Sequence, residues 1–294
     1  MTPAMKLGAV VITMGDRPDE LRTLLDSVAA QDGDRIEVVV VGNGAPVPDV
    51  PAGVRTVELP ENLGIPGGRN VGIEAFGPSG ADVDALLFLD DDGMLPNRDT
   101  AELCRQAFEA DPKLGIVTFR IADPDTGATQ RRHVPRLRAA DPMRSSRVTT
   151  FLGGANAVRT TVLAEVGGLP QEFFYAHEET DLAWRALDAG WMIDYRADMV
   201  LNHPTTAPSR HAVYHRMVAR NRVWLARRNL PAPLVPLYVG VWLLLTLVRR
   251  PSPPALKAWF GGFREGWSTP CGPRRPMKWR TVWRLTRLGR PPVI

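Results

Sequence analysis

Three consecutive carboxylates, Asp90, Asp91 and Asp92, end the apolar run LLFL and precede Gly93. An ionised carboxylate leaving water must be paired, hydrogen-bonded or bound to a metal, so three at the end of a buried strand point to a cation. The competing reading is an acidic turn capping the next helix, because Asp and Asn favour helix N-termini and turns. A second cluster, HEETD, holds His177, Glu178, Glu179 and Asp181, with Arg185 one helical turn on. Acids gathered there suit the positively polarised start of a helix. Capping accounts for one of them better than for three. Two separated acidic clusters can divide the work between metal binding and general base catalysis. His203 follows the apolar pair Val200 and Leu201 and precedes Pro204, where a lone histidine is more often a core or turn residue. With a carboxylate, its imidazole still makes a reasonable set for Mn²⁺ or Mg²⁺, with phosphates and water in the remaining positions. The segment ENLGIPGGRN supplies glycines for close backbone approach and Arg69, whose fork suits phosphate. It matches neither the Walker pattern nor GxGxxG.

These residues need elements to hold them. KLGAVVIT (6 to 13), IEVVVVG (36 to 42), VRTVEL (54 to 59), DALLFL (84 to 89) and LGIVTF (114 to 119) predict buried strands. Between them, DELRTLLDSVAAQ, with Leu21, Leu24, Leu25 and Val28 at helical spacing, predicts a helix. GGRNVGIEAF and residues 98 to 110 predict two more. Such alternation indicates an α/β layered fold with a mostly parallel sheet, whose ligands bind beyond the carboxyl ends of the strands. GNGAP, ENLGIPGGRN and DDDG all fall there. From 120 to 150 the pattern fades into a polar, basic insertion, expected as a mobile loop over the site. After the Gly153-Gly154 turn come a helix from Thr160, a helix near 179 to 189 and a short strand before His203.

The last third differs. From Thr205 onward 17 Lys and Arg face a single acid, Glu265, while the first 204 residues carry 19 basic and 31 acidic groups. Six of the eight tryptophans lie in this basic region, which suits an interface with anionic lipid. Residues 230 to 248 are uncharged, but Pro231, Pro233 and Pro236 crowd their start, predicting a re-entrant or interfacial segment rather than a span, with an ordinary apolar helix packed on the domain as the alternative. The expected division is therefore a body over 1–204 and a helical, membrane-associating region over 205–294. Two distant cysteines, Cys104 and Cys271, give no disulfide or zinc pattern and fit a reducing compartment. The N-terminal apolar run lacks a cleavage site and reads as a first strand.

In order along the chain, VVITMGDRPDELRTLLDSVAAQ, VVGNG, ENLGIPGGRN, FLDDDGML, FLGGANAVRTTVLAEVGGL and HEETDLAWRALDAGW resemble the family 2 glycosyltransferases. These are inverting enzymes of the GT-A fold, and the bacterial rhamnosyltransferase-like members are the nearest likeness. The resemblance spans Leu7 to His203. It implies a Rossmann-like mixed sheet with flanking helices, in which Thr13, Asp16 and Asn43 line a nucleotide pocket and Arg69 orients the base or diphosphate. Asp90 would hold ribose or sugar hydroxyls, and Asp92 the divalent metal, Mn²⁺ or Mg²⁺, with His203 completing its site. Glu179 stands at the usual position of the general base, with Glu178 as the alternative. Asp181 and Arg185 would brace the helix, and Gly153 and Gly154 would let backbone approach donor sugar or acceptor. The implied partners are a dTDP- or UDP-sugar and a glycan or polyprenyl-linked acceptor, at the cytoplasmic face of an anionic membrane.

Three other readings are weaker. A sugar nucleotidyltransferase should carry a Gly-rich opening with Arg and Lys near the first strand, and MGDRPDE has none. A silent membrane-associated scaffold has no use for intact acidic clusters. Nucleic acid would attract the basic region, but no helix-turn-helix, zinc or RNA-binding signature accompanies it.

Overall fold

The computed structural model describes residues 5–137, 141–204, 212–249 and 251–294. Eight strands form one mixed sheet. The first, β1 (Leu7–Thr13), leads through α1 (Pro18–Ala29) to β2 (Glu37–Asn43) and β3 (Arg55–Leu59), then through α2 (Gly64–Glu74) to β4 (Ala85–Asp90). These four strands are parallel, in the order β3-β2-β1-β4. After α3 (Thr100–Ala110) the chain forms β5 (Leu114–Ala122), a two-residue β6 (Ser146–Arg147), β7 (Ala155–Arg159), α4 (Thr160–Val166), α5 (Glu178–Ala189) and β8 (Met192–Asn202). The short β7 runs antiparallel between β4 and β5, and β6 closes the edge antiparallel to β8.

The runs of β1, β2 and β4 are apolar because both sheet faces are covered there, whereas β3, expected as a buried strand, is a largely exposed edge strand. On one face Leu7, Ala9 and Val11 of β1 and Leu87 and Leu89 of β4 pack with Leu21, Leu24, Leu25 and Val28 of α1 and Cys104 and Phe108 of α3. On the other, Val10, Leu86 and Phe88 meet Ile73 of α2, Leu163 of α4 and Leu182 of α5. A methyl group at Gly72 would overlap Val10, so α2 lies directly on β1. The carboxyl ends of β1, β2 and β4 deliver Thr13, Asn43 and Asp90 to one rim.

Four further helices follow: α6 (Ala212–Asn229), α7 (Leu234–Arg249), α8 (Pro253–Ser268) and α9 (Trp279–Arg287). They share the second core: Trp224, Leu225 and Leu230 of the α6 region, Tyr238 and Val239 of α7, Met277 and Leu285 pack with α5 and the sheet. A methyl group at Gly262 of α8 would overlap the Arg216 carbonyl of α6, so these two helices meet backbone to backbone. Residues 205–294 were expected as a separate membrane-associating region. In the described part, 212–294, Trp224 and Trp259 are interior side chains, while Trp267, Trp279 and Trp283 are exposed. The junction between the two regions, 205–211, lies outside the described residues. The stretch 230–248 folds into α7, whose first half packs on the core and whose Leu244, Leu247 and Val248 face outward. Among the described residues no helix is long and apolar enough to cross a membrane.

The insertion at 120–150 is partly tied down where it is described. Tyr195 donates its hydroxyl to Pro142 O at 2.8 Å, and Arg136 donates to Ser146 Oγ at 2.9 Å. None of its described residues lines the cavity at the carboxyl ends of β1, β2 and β4.

Candidate active site

A cavity of about 460 Å³ opens at the carboxyl ends of β1, β2 and β4. Its wall includes Thr13, Asp16, Arg17, Asn43, Asn62, Asp90, Asp91, Asp92, Phe174, Tyr175 and His203. Asn43 is buried and builds the rim rather than pointing freely into it. Its Nδ2 donates to Asn62 Oδ1 and Gly64 O, both at 3.1 Å, and its Oδ1 accepts from Leu63 N at 2.9 Å. Thr13 Oγ1 accepts from Gly15 N at 3.1 Å and shapes the turn that carries Asp16 and Arg17.

Asp92, Asp90 and His203 converge on the cavity floor. His203 Nε2 is 3.0 Å from Asp92 Oδ1 and 4.0 Å from Asp90 Oδ2. Its Nδ1 sits 2.7 Å from Pro204 O, which can only accept, so Nδ1 carries a proton and Nε2 is aimed at the carboxylates. Burial works against the charged imidazole, but the Asp92 hydrogen bond and the Asp92 and Asp90 charges outweigh it and raise its pKa. Burial also opposes the Asp92 carboxylate, yet His203 and Arg17 bring its pKa below the usual value. Asp91 moves the other way, raised chiefly by burial. Arg17 pairs with Asp92 and lies 3.5 Å from Asp91, so a guanidinium already occupies the cationic position among these acids.

This donor set fits a hard divalent cation in part. Asp92 and His203 offer two ligands and Asp90 a third oxygen nearby, leaving positions for phosphate oxygens and water. Among the described residues no three His, Cys, Asp or Glu side chains converge closely enough to hold an ion alone.

The glutamates stand one layer behind. Arg69, 3 % exposed on α2, donates from Nη2 to Asp90 Oδ1 at 3.1 Å. Its Nη1 and Glu179 Oε1 flank Gly153 so closely that a Cβ there would fall 2.9 and 2.6 Å from them. A Cβ at Gly154 would overlap the Asp90 carboxylate. The two glycines, expected to admit donor or acceptor, thus make room for the site's own side chains. Glu178 is fully buried, with Oε2 lacking a partner, and burial followed by the neighbouring Glu179 charge raises its pKa to about 8. Its side chain hydrogen-bonds Glu179. Burial raises Glu179 as well, with Arg69 pulling against it.

The loop before α5 is strained. Phe174, Ala176 and His177 have φ of 62°, 70° and 71°, a left-handed region costing non-glycine residues about 1–3 kcal/mol each. The clamp is Asn221 of α6, whose Nδ2 donates to Tyr175 O at 2.7 Å and to Phe173 O and Ala176 O at 2.9 Å. Asp181, wholly buried, accepts from Arg185 Nε at 2.8 Å, Arg228 Nε at 3.0 Å and Asn229 Nδ2 at 2.7 Å. Arg185 in turn donates to the carbonyls of Val166, Gly167 and Gly168. Asp181 and Arg185 therefore brace α5 and tie it to α6.

Every predicted site residue thus falls in one of two adjoining groups, joined by the Arg69–Asp90 pair. Sequence reasoning missed Arg17, Asn62, Tyr175 and the α6 residues Asn221, Arg228 and Asn229. Arg17 was visible as the basic residue in MGDRP, but its acidic partner lies 75 positions away.

A mixed α/β sheet with an acidic floor at its carboxyl rim has the form of an α/β enzyme site, where ligands bind beyond the strand ends. The Glycosyl transferase family 2 profile matches residues 9–167, more than half of the chain, and the chain belongs to that family. It is 26 % identical over 239 residues to the pre-mycofactocin glycosyltransferase of Mycobacterium tuberculosis, covering 77 % of this chain and 46 % of that protein. The chain thus spans about half the length of the curated relatives it matches. GalNAc-T7, solved with UDP, GalNAc and Mn²⁺, superposes with a TM-score of 0.62 at 12 % identity, over 81 % of this chain and 50 % of that one. The mannosyltransferase PcManGT of Pyrobaculum calidifontis, solved with GDP-Man and Mn²⁺, gives 0.55 at 18 % identity, over 98 % and 74 %. TarS of S. aureus gives 0.52 at 19 %, over 73 % and 64 %. At these identities the solved structures speak for the fold alone.

Proposed function

We propose that the chain is an inverting glycosyltransferase moving a sugar from a nucleoside-diphosphate donor to a hydroxyl of a glycan or lipid-linked acceptor. The observation that supports this reading is Arg69, which pairs with Asp90 on the cavity wall and adjoins Glu179 at Gly153, one layer behind. Thr13, Asp16 and Asn43 form the wall for the nucleoside, and Arg17 faces the diphosphate. Asp90 holds sugar or ribose hydroxyls. Asp92 and His203 would hold Mn²⁺ or Mg²⁺, which when bound supplies Lewis-acid stabilisation of the leaving diphosphate. The acceptor oxygen bonds to the anomeric carbon as the carbon–oxygen bond to phosphate breaks, the electron pair leaves with the diphosphate, and Glu179 takes the hydroxyl proton. Burial lifts the Glu179 pKa toward working pH, which favours a general base. Glu178, holding its own proton, keeps a second negative charge out of the site.

The family resemblance favours dTDP-rhamnose first and a UDP-sugar second. The UDP and GDP-Man in solved neighbours support a nucleoside-diphosphate donor and a divalent metal. Exposed Leu244, Leu247 and Val248 on α7, with Trp279 and Trp283 among basic residues, support an acceptor presented at the cytoplasmic face of an anionic membrane.

A thermal-shift titration with UDP, dTDP, GDP and CMP, each with and without Mn²⁺, tests the donor site. One nucleotide should stabilise the protein only with metal, by about 2.7 kcal/mol at a hundredfold excess over Kd. Asp92→Ala should abolish that shift, and Glu179→Gln should keep it while losing transfer. No shift with any nucleotide would sink the reading.

A further inference from the structure

A second cavity, about 50 Å³, lies behind the catalytic loop and shares no lining residue with the donor cavity. Its wall combines Arg222 of α6, Arg290 after α9, His177, Trp242 of α7, Thr149, the Thr150–Thr180 hydroxyl pair at 3.3 Å and the last residue, Ile294. Two guanidiniums meet there. Arg222 lies over the Trp242 ring at 3.2 Å and hydrogen-bonds Tyr238, and Arg290 interacts electrostatically with Tyr238 and His177. Among the described residues, no carboxylate pairs with either guanidinium. Both guanidiniums are half-buried, and an anion between them would supply the counter-charge that neither has.

Two further groups are left without partners at this cavity: the buried Nε2 of His177 and Nε1 of Trp242. An indole N–H and two guanidiniums can only donate, so an occupant that satisfies them must accept hydrogen bonds on several sides. That excludes a metal ion and an apolar group. The volume excludes a nucleotide and suits one tetrahedral oxyanion.

We infer that this cavity is a binding site for a phosphate group, held between Arg222 and Arg290 with Trp242 and the threonine hydroxyls as additional donors. The site rests on its own residues and does not depend on the donor reading. His177 forms its wall and immediately precedes Glu178 and Glu179, so a bound phosphate bears on the loop that carries the base. Two sources share this chemistry: free orthophosphate, and the phosphate headgroup of an amphiphile whose chain lies along the outward apolar side of α7 beyond Trp242.

The test is calorimetric titration of the full chain with inorganic phosphate and, separately, with octyl phosphate below its micellar concentration. The probes are repeated on Arg290→Gln, Arg222→Gln and Asp92→Ala. Binding of either probe should weaken at least tenfold in both arginine variants and persist in Asp92→Ala, which separates this cavity from the donor site. Octyl phosphate binding at least tenfold tighter than phosphate assigns the site to an amphiphile headgroup, and equal affinities assign it to the free ion. Arg290→Lys, which keeps the charge, should retain part of the affinity and confirms that a folded variant is being read. Absence of binding, or binding unchanged in a folded Arg290→Gln protein, overturns the inference.

Discussion

Asn221→Ala tests whether α6 sets the catalytic loop. The Asn221 side chain is wholly buried and its one amide nitrogen meets three carbonyls, those of Phe173, Tyr175 and Ala176. That nitrogen has two protons, so it satisfies two acceptors at a time. Removing it strands two buried carbonyls at about 1–3 kcal/mol each, or roughly 2–6 kcal/mol together, toward the lower figure where water enters. The released loop also contains the three left-handed residues Phe174, Ala176 and His177, whose strain is relieved if it moves. Movement there carries Glu178 and Glu179 with it, and a displacement of about 1 Å near the chemistry is worth on the order of a hundredfold in rate. The assays are thermal unfolding, nucleotide affinity in the presence of Mn²⁺, and single-turnover transfer. Expected are a lowered Tm, transfer slowed by about two orders of magnitude, and a smaller loss of nucleotide affinity. Affinity is spared because Asp90, Asp92 and His203 are held by β4 and β8, while Phe174 and Tyr175 form only part of the cavity wall. A folded variant with unchanged transfer would refute the clamp.

Two other perturbations follow from the same geometry. Glu178, with a folded pKa of about 8 against an ordinary 4.5, keeps its proton when the unfolded chain has lost it, so its contribution is whole below about pH 4.5 and is lost as pH rises through 8. Glu178→Gln should therefore gain stability over the native chain as pH rises from 5 to 8, by up to on the order of 4 kcal/mol, read by denaturant unfolding at each pH. A gain independent of pH would mean that Glu178 is ionised in the fold. Truncation after Pro204 should yield no soluble, nucleotide-binding protein, because it removes two of the three partners of buried Asp181, and an uncompensated buried charge costs about 3–5 kcal/mol. A folded 1–204 fragment that binds nucleotide would contradict this.

The legible parts of the fold were those with a strong local signal. β1, β2 and β4 read as strands because both faces are buried and the apolar run is unbroken. β7, ANAVR, is too short and too alanine-rich to announce itself, although it joins the two halves of the sheet. α2 begins at Gly64 rather than Gly67, since glycine and proline read as loop while Pro66 sits in the first turn, where no helical hydrogen bond is needed. The acids and His203 were visible because charge beside apolar strands demands a partner. Arg17 was not, because its meaning lies in Asp92, across the sheet end.

The C-terminal helices carry the largest departure from what composition suggests. Basic residues mixed with tryptophan look like a surface for lipid, yet Arg220 and Arg228, with 13 % and 8 % of their side chains exposed, spend their charge inside. Arg228 holds Asp181, and Arg220 donates to Phe173 O at 2.9 Å, beside Asn221. A composition count cannot separate an arginine that faces lipid from one that fixes a backbone carbonyl, because both keep the same charge. The separation comes from which carbonyls are left unpaired when a strained loop is built, and here those of 173, 175 and 176 require donors from another element. The sheet supplies the proposed donor cavity by its topology, while the proposed base behind it takes its position from α6. On this geometry a substitution in the C-terminal helices can reach the chemistry without touching either substrate.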